Sequence, residues 1–353
     1  MCVVAASRAL QQRPTSAPKA GDCCNDRAVT RSRTFILAAL VIAATLALSL
    51  AVSQLTVTQS VRTSGIGSLP TTPHWWQLWS VPPVEVSLIG LLAIAVLPRA
   101  PRGWPRWSAI TGIVVLLGAV CTPVSGMAKD GLLEVHMAQH TLIGGFGALL
   151  IVAALPRARQ SAPGLLRLVA HPGVGLPLWM ASSAVWLFPS IHGQLLDSEL
   201  VWILQQISFF VFGFLVWCPV LERVSTAPAW FGTGAKCAYM TAVWFFGLGI
   251  ANLFWFSGTP LYPGHAALDT TWGIGSLQDQ ANAGTVMMVT HCVLAFGTIG
   301  VLFFANARER SIEQRLLEAG YDRTEVRAAV RSGQISQFAD AHGVSTASRP
   351  GID

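Results

Sequence analysis

The feature that most constrains this chain is a series of charge-poor apolar runs of about 18 to 24 residues. A helix of about 20 residues crosses a hydrocarbon core about 30 Å thick. Such runs must be helical, because lipid offers no partner to unpaired backbone groups. The composition agrees, since 52% hydrophobic and 11% charged residues lie outside the range of ordinary soluble domains. The sequence therefore predicts an all-α, polytopic transmembrane helix bundle.

The apolar runs predict about eight spans. They lie near residues 34–54, 80–98, 107–125, 136–156, 174–191, 200–221, 236–257 and 282–305. The second run is the weakest, because it carries Glu85 and has Pro82 and Pro83 near one end. Seven or eight spans are consistent with the pattern.

The distribution of cations predicts the orientation of the bundle. Lys and Arg favour the cytoplasmic side of a membrane, and here they concentrate in alternate segments. These segments are residues 8–33, 99–106, 157–167 and 223–236, and the tail after Asn306. The intervening loops carry only Arg62 and Lys129 as cations, together with His and acidic residues. We therefore expect both termini in the cytoplasm, and the net charge of +6 reflects topology, not a nucleic-acid surface.

The chain divides into three predicted parts. Residues 1–33 are polar and predict a disordered cytoplasmic leader, residues 34–306 the transmembrane bundle, and residues 307–353 a small cytoplasmic helical tail. The first apolar run is long for a signal peptide, so we expect it to stay uncleaved. Cys23 and Cys24 are adjacent in the leader, and we interpret them as reduced thiols because adjacency is not a metal-site spacing.

One segment has the spacing of metal ligands. In HMAQH, His136 and His140 are four positions apart, so on a helix both imidazoles share one face. The segment lacks the Glu of an HExxH motif, which disfavours a hydrolytic zinc site. Two interfacial polar residues are the alternative interpretation. Four methionines near the same helix ends favour Cu(I), because thioether and imidazole are soft ligands, although methionine also fills gaps in apolar cores. They are Met127, Met137, Met287 and Met288.

A second polar segment runs from Ser276 to Cys292. Ser276 and Asp279 have the spacing of a capping box, which predicts a role for Asp279 at the start of its own helix. His291 lies twelve residues further on, roughly 18 Å along the helix, and needs a partner there. A copper metallochaperone using His136 and His140 fits this pattern. A haem b protein with His140 and His291, or another His pair, as axial ligands is the alternative. The different depths of His140 and His291 disfavour that pair.

Four stretches together resemble a known family. They are HMAQHTLIGGFGALLIVAALPR at 136–157, HPGVGLPLW from His171, QQISFFVFGFLVWCPVLE at 205–222 and DQANAGTVMM from Asp279. In order and spacing they are similar to the CtaG family of cytochrome c oxidase (caa3-type) assembly factors. The resemblance covers roughly residues 75–306 and implies seven family helices with one additional N-terminal helix.

The resemblance implies a function and a set of residues. It implies a multi-pass protein of the bacterial plasma membrane that helps to deliver copper to cytochrome c oxidase, with the external copper centre of subunit II as the expected target. We expect no enzymatic activity, because the sequence shows no arrangement of nucleophile, base and oxyanion donors. His136 and His140 are then the expected ligands, Met288 a soft ligand and Asp279 a supporting residue. A scaffold without metal stays an alternative, since relatives carry His where this chain has Gln206, and an amide is a poor copper ligand.

Overall fold

The structure is a computed structural model that describes residues 75–158, 164–331 and 334–344. Its main helices, in chain order, are α1 Pro83–Val96, α2 Trp104–Cys121, α3 Pro123–Lys129, α4 Leu133–Ala154, α5 Gly164–Val169, α6 Pro172–Leu187, α7 Glu199–Leu221, α8 Thr233–Phe256, α9 Pro263–Trp272, α10 Ser276–Glu318, α11 Arg323–Arg331 and α12 Ile335–Ala341. Three shorter helical turns are Trp75–Leu78, Pro189–His192 and Gly193–Leu195. Throughout these ranges the regular structure is helical, so the predicted all-α class is confirmed.

Five helices are long and apolar enough to cross a membrane, namely α2, α4, α7, α8 and α10. Helix α6 and the turns after it form a sixth span if the pair, bent by 67°, is counted as one. Helix α1 is apolar but has 14 residues, about 21 Å of helix, which is shorter than the hydrocarbon core. The predicted span at residues 34–54 lies outside the described residues. The total of eight spans and the cytoplasmic location of both termini stay predictions.

The distribution of polarity is that of a membrane protein. Large apolar side chains point outward, as Leu91, Ile94 and Val301 do with 62%, 72% and 71% exposure. Polar side chains such as Gln139 and Gln205 are instead fully buried. A lipid environment favours this arrangement, because hydrocarbon gains nothing from polar surface and polar groups must find partners inside the bundle.

Helix α4 is the central helix of the bundle. In its most apolar stretch of 18 residues, 83% of the residues are buried. It crosses α7 at two glycines, where a methyl group on Gly213 would lie 2.0 Å from the Gly144 carbonyl oxygen. The backbone winds as a π-helix from Thr141 to Gly147. Such wide turns occur mostly as single interruptions of α-helices and often at functional sites. Here the wide turn begins directly after His140.

A proline bends the chain after α6. The residue before a proline is restricted to extended backbone, and Phe188, which precedes Pro189, has φ −70° and ψ 124°. The chain therefore leaves α6 and starts the short helix Pro189–His192 in a new direction. This bend aims His192 toward the interior of the bundle, where its side chain is fully buried.

Helix α10 continues beyond the predicted end of its span at residue 305. It has 43 residues and is about 65 Å long, so its last turns extend outside the apolar region. Helices α11 and α12 pack against this extension through a separate apolar cluster. The fully buried members of the cluster are Ile312, Leu316, Val326 and Ala339. Gly320 follows the end of α10 with φ +86°, the left-handed conformation that glycine favours after a helix.

This cluster predicts the effect of a charge in the tail. We expect Leu316→Glu to unfold the packing of α11 and α12 on α10, because an unpaired charge is costly at a fully buried position. Limited proteolysis of the purified protein should then cleave the tail faster. Gln314→Glu is the matched control, since the same residue enters at an exposed position of the same helix. Equal cleavage rates in the two variants would contradict this packing.

Candidate functional site

Four histidines meet at one end of the bundle. The ring centroid of His136 lies 4.1 Å from that of His140, 5.2 Å from that of His192 and 5.8 Å from that of His265. All four side chains are buried. They come from three elements, α4, the short helix after α6, and α9. Burial inside the bundle does not give the depth of a residue in the membrane, so the interfacial interpretation of His136 and His140 stays a prediction.

His192 and His265 face each other through their Nε2 atoms, which are 3.1 Å apart. The opposite ring nitrogen of each is held by a carbonyl. His192 Nδ1 lies 3.1 Å from the Trp186 oxygen, and His265 Nδ1 lies 2.6 Å from the Gly131 oxygen. A carbonyl only accepts, so both Nδ1 atoms carry the proton, and each neutral ring has a lone pair on Nε2. The two lone pairs point at one another.

This arrangement is chemically incomplete without a positive charge. Two lone pairs at such a distance repel, and either a shared proton or a metal ion between them removes the repulsion. Burial lowers the pKa of His265 below its ordinary value, against the smaller opposing effect of its hydrogen bond to Gly131. A proton is therefore poorly held there. A carbonyl that fixes the tautomer of a metal-binding histidine is a common supporting contact.

The ring of His136 lies beside this pair of histidines. Neither of its ring nitrogens has a hydrogen-bond partner among the described residues, although the side chain is fully buried. Its ring packs on Trp202 at 5.1 Å between centroids. His140 stacks on Phe209 at 4.1 Å and lies beside the Gln205 amide. Buried imidazole nitrogens without partners are costly, so this end of the bundle is suited to hold a ligand.

Asp279 fixes the start of the helix that carries His136. Its two carboxylate oxygens accept hydrogen bonds from the amides of Leu133, at 2.7 Å, and Glu134, at 2.9 Å. The first amides of a helix have no partner within it, and a carboxylate there is also favoured by the helix dipole. The predicted capping box is wrong, because α10 begins after Gly275 without a side-chain cap. Asp279 caps the start of α4.

The neighbouring Gln280 fixes the segment that leads to His265. Its Oε1 accepts from the Leu261 amide at 2.7 Å, and its Nε2 donates to the Phe254 carbonyl at 3.2 Å. The adjacent Tyr262 donates its hydroxyl to the Leu187 carbonyl at 2.8 Å, and its ring lies 4.1 Å from that of His192. The pair Asp279 and Gln280 therefore holds two histidine-bearing segments in place.

The predicted site residues are only partly brought together. His136 and His140 are in contact, and Asp279 supports them through the backbone. Met288 is partly exposed and is not among the described residues that line the internal cavity, whereas its neighbour Met287 does line it. His192 and His265 were not predicted as site residues, although both stand among the few polar residues of the loops predicted to face outward.

Two further observations concern the number of metal ligands at the site and the location of Gln206. Among the described residues, no group of three or more His, Cys, Asp or Glu side chains is arranged so that it could hold a metal ion. Gln206 does not replace a member of the cluster, because it lines a separate groove together with Glu85, and its neighbour Gln205 is the one beside His140. A glutamine at position 206 therefore removes no ligand from the four histidines.

His140 and His291 line one internal cavity, together with Met137 and Met287. From the sequence, these two histidines were expected at depths too different for both to bind one haem. In the structure, however, they line the same cavity. Its volume of about 50 Å³ accommodates a few water molecules. That is far below the volume of a site for a cofactor-sized ligand, so the cavity does not accommodate haem b.

The fold and the site together define a class of protein. It is a multi-pass helical membrane protein whose buried polar residues converge on four histidines at one end. The family model of cytochrome c oxidase caa3 assembly factors matches residues 90–309, more than half of the 353 residues. The chain belongs to this family, and the resemblance noted in the sequence is confirmed. Searches of curated proteins and of solved structures gave no match.

Proposed function

We propose that this chain is a cytochrome c oxidase assembly factor that holds Cu(I) at its histidine cluster and passes it to the oxidase. Family membership supports the role in oxidase assembly. The copper is cargo here, bound for transfer. The observation that carries the proposal is the pair of Nε2 atoms of His192 and His265, which lie 3.1 Å apart while a carbonyl oxygen engages the Nδ1 atom of each ring.

The geometry of this pair suits a metal ion after a small movement. Bonds from imidazole to a metal ion of this kind are about 2 Å long, so two of them place the nitrogens up to about 4 Å apart. The rings need to separate by about 1 Å. The short helix Pro189–His192 ends at His192 and is followed by a 3-10 turn, so this movement displaces one turn of chain and leaves the long helices in place.

The chemistry of the surroundings favours Cu(I) over divalent ions. The four side chains of the cluster are neutral imidazoles, which suit copper and zinc. Burying charge in a membrane protein is costly, and a monovalent ion adds half the charge of Zn²⁺ or Cu²⁺. Cu(I) also accepts two ligands, which the His192 and His265 pair offers, and His136 is in place as a third.

The oxidase is the proposed partner. The cluster lies at the end of the bundle that the cation distribution predicts to face outward, as the delivery of copper to an external centre of subunit II requires. The lipid of the bacterial plasma membrane surrounds the apolar face of the bundle. Transfer of a bound ion needs no nucleophile or general base, and we propose a role without enzymatic activity.

A scaffold without metal is the second candidate function. The absence of any three-ligand group among the described residues favours it. In that case a proton shared between His192 and His265 takes the place of the metal ion, and the cluster only holds the ends of α4, α6 and α9 together. The two candidates differ in whether the purified protein binds Cu(I).

We expect the purified protein in detergent to bind Cu(I), and the His192→Ala, His265→Ala double variant to lose the tightest equivalent. The measurement is a titration under anaerobic conditions against a competing chelator. The expected weakening is at least about ten-fold, since even supporting contacts of a metal site are worth 10- to 100-fold. His342→Ala is the matched control, because His342 is exposed in the tail. Identical affinities for the double variant and the control would reject the copper role and support the scaffold.

A further inference from the structure

A second group of potential ligands adjoins the histidine cluster and shares His140 with it. It surrounds the cavity of about 50 Å³ that α4, α6, α7, α8 and α10 enclose. The described lining contains no acidic side chain. Its potential ligands are His140, His291, Met137 and Met287. Neutral soft donors around a space of this size are suited to a monovalent soft metal ion.

His291 presents a free lone pair to this cavity. Its Nδ1 lies 2.7 Å from the Met287 carbonyl oxygen, so Nδ1 carries the proton and Nε2 holds the lone pair. The backbone of α8 makes room for the ring at Gly247, where a methyl group would lie 2.4 Å from His291 Cγ. The ring is thus held in one tautomer and in a fitted slot.

The two methionines lie where they can complete a site with His291. Met287 is one turn before His291 on α10, so both side chains share a face. Met137 is fully buried and belongs to the same apolar cluster as Met287. Methionine sulfur is polarizable and its side chain flexible, which allows both thioethers to turn toward an ion in the cavity.

His140 connects this cavity to the histidine cluster. It lines the cavity, and its ring contacts that of His136 at 4.1 Å. The two groups of ligands are therefore contiguous through α4. Only the ring of His140 then separates an ion bound at His136 from the cavity.

We propose that the cavity is a second Cu(I) site, with His291 Nε2 and the thioether sulfurs of Met287 and Met137 as ligands. The identity of the metal rests on the proposed function of the cluster. His140 is the residue through which an ion passes between the two sites. The ligand set has two sulfurs and one nitrogen, whereas the cluster offers nitrogen only, and this difference makes the sites distinguishable.

The test is X-ray absorption at the copper edge, with copper stoichiometry, on the full-length protein loaded with Cu(I) in detergent. We expect two coppers in the wild type and a Cu–S component near 2.3 Å, a usual metal–sulfur distance. Met287→Leu should remove much of the Cu–S component, and His291→Ala should remove one copper. Met288→Leu is the matched control, because it removes the neighbouring thioether, which does not line the cavity, and it should retain both.

The outcomes separate this inference from the function on which it rests. One bound copper with nitrogen ligands only, lost in the His192→Ala, His265→Ala variant, would leave the proposed function intact and overturn the second site. No bound copper would overturn both. A Cu–S component that survives in the His192, His265 variant and is lost in Met287→Leu supports the second site. The Leu substitution conserves volume, and circular dichroism of each variant checks that it is folded.

Discussion

Among the glycine-to-alanine substitutions in the described helices, Gly213→Ala is expected to destabilise this protein most. The new carbon would lie 2.0 Å from the Gly144 oxygen and 2.7 Å from the Gly144 carbonyl carbon. Both are backbone atoms of a central helix, so no side chain can move aside. Helices α4 and α7 must separate, and overpacking of this kind costs about 3 kcal/mol or more. Thermal unfolding in detergent measures the loss.

Gly249→Ala is the control for this substitution. Gly249 also lies inside a long helix, but no atom comes within 4 Å of the position of its added carbon. Alanine at this position should leave the free energy of unfolding unchanged or raise it by roughly 0.5–1 kcal/mol relative to the wild type, because glycine is the more flexible residue in the unfolded chain. If both variants melt at the same temperature, the close crossing of α4 and α7 is not present in the protein.

Asp279→Asn is expected to reduce stability and copper affinity together. The carboxylate accepts two hydrogen bonds from the start of α4, and an amide offers one acceptor and no charge. Hydrogen bonds to charged groups are worth about 1.5–3 kcal/mol each. The first turn of α4 then frays, and His136, three residues after Leu133, loses its fixed position. We expect Kd for Cu(I) to rise about 10- to 100-fold, as for other supporting contacts of metal sites.

The measurement is again the chelator titration, now paired with thermal unfolding of the same samples. Asp197→Asn is the matched control, since Asp197 is exposed and close in sequence to His192. It should change neither quantity. Loss of stability with unchanged copper affinity would show that Asp279 supports the fold and not the position of His136, and that the ligands lie elsewhere.

The positions of Asp279 and Gln280 give the adjacent DQ pair a structural role. Asp279 holds α4 and Gln280 holds the segment before His265, so two adjacent residues orient two separate parts of the cluster. A substitution at either residue disturbs the histidines without touching them. The geometry of the histidine cluster therefore depends on hydrogen bonds to the backbone as well as on the packing of the imidazole rings.

Much of the helical architecture could be predicted, because a membrane leaves the chain little choice. An apolar run must become a helix when no water is present to satisfy its backbone. Helices occur at each of the seven predicted spans that fall within the described residues. The bend after α6 could also have been predicted from the sequence, because Phe188 precedes Pro189 and a proline restricts the backbone of the residue before it.

The faces of these helices could not be predicted. In a soluble protein the polar side of a helix marks the surface, but here lipid and core are both apolar, so the pattern along α4 or α7 does not say which side is inside. The crossing of Gly144 and Gly213 depends on that rotation. Gln205 and Gln206 are adjacent, yet one lies beside His140 and the other lines a different groove.

The lipid surroundings, the helices and the local pair His136 and His140 could be predicted from the sequence, since each depends on neighbours within a few turns, and the family could be predicted from the order of four stretches. The residues that complete the site became visible only in the packed structure. His192 and His265 are 73 residues apart, and Asp279 is 146 residues from the amide of Leu133 that it caps. Contacts over such separations follow from how the helices pack, and packing depends on side-chain shape and backbone approach, which local patterns of polarity do not encode.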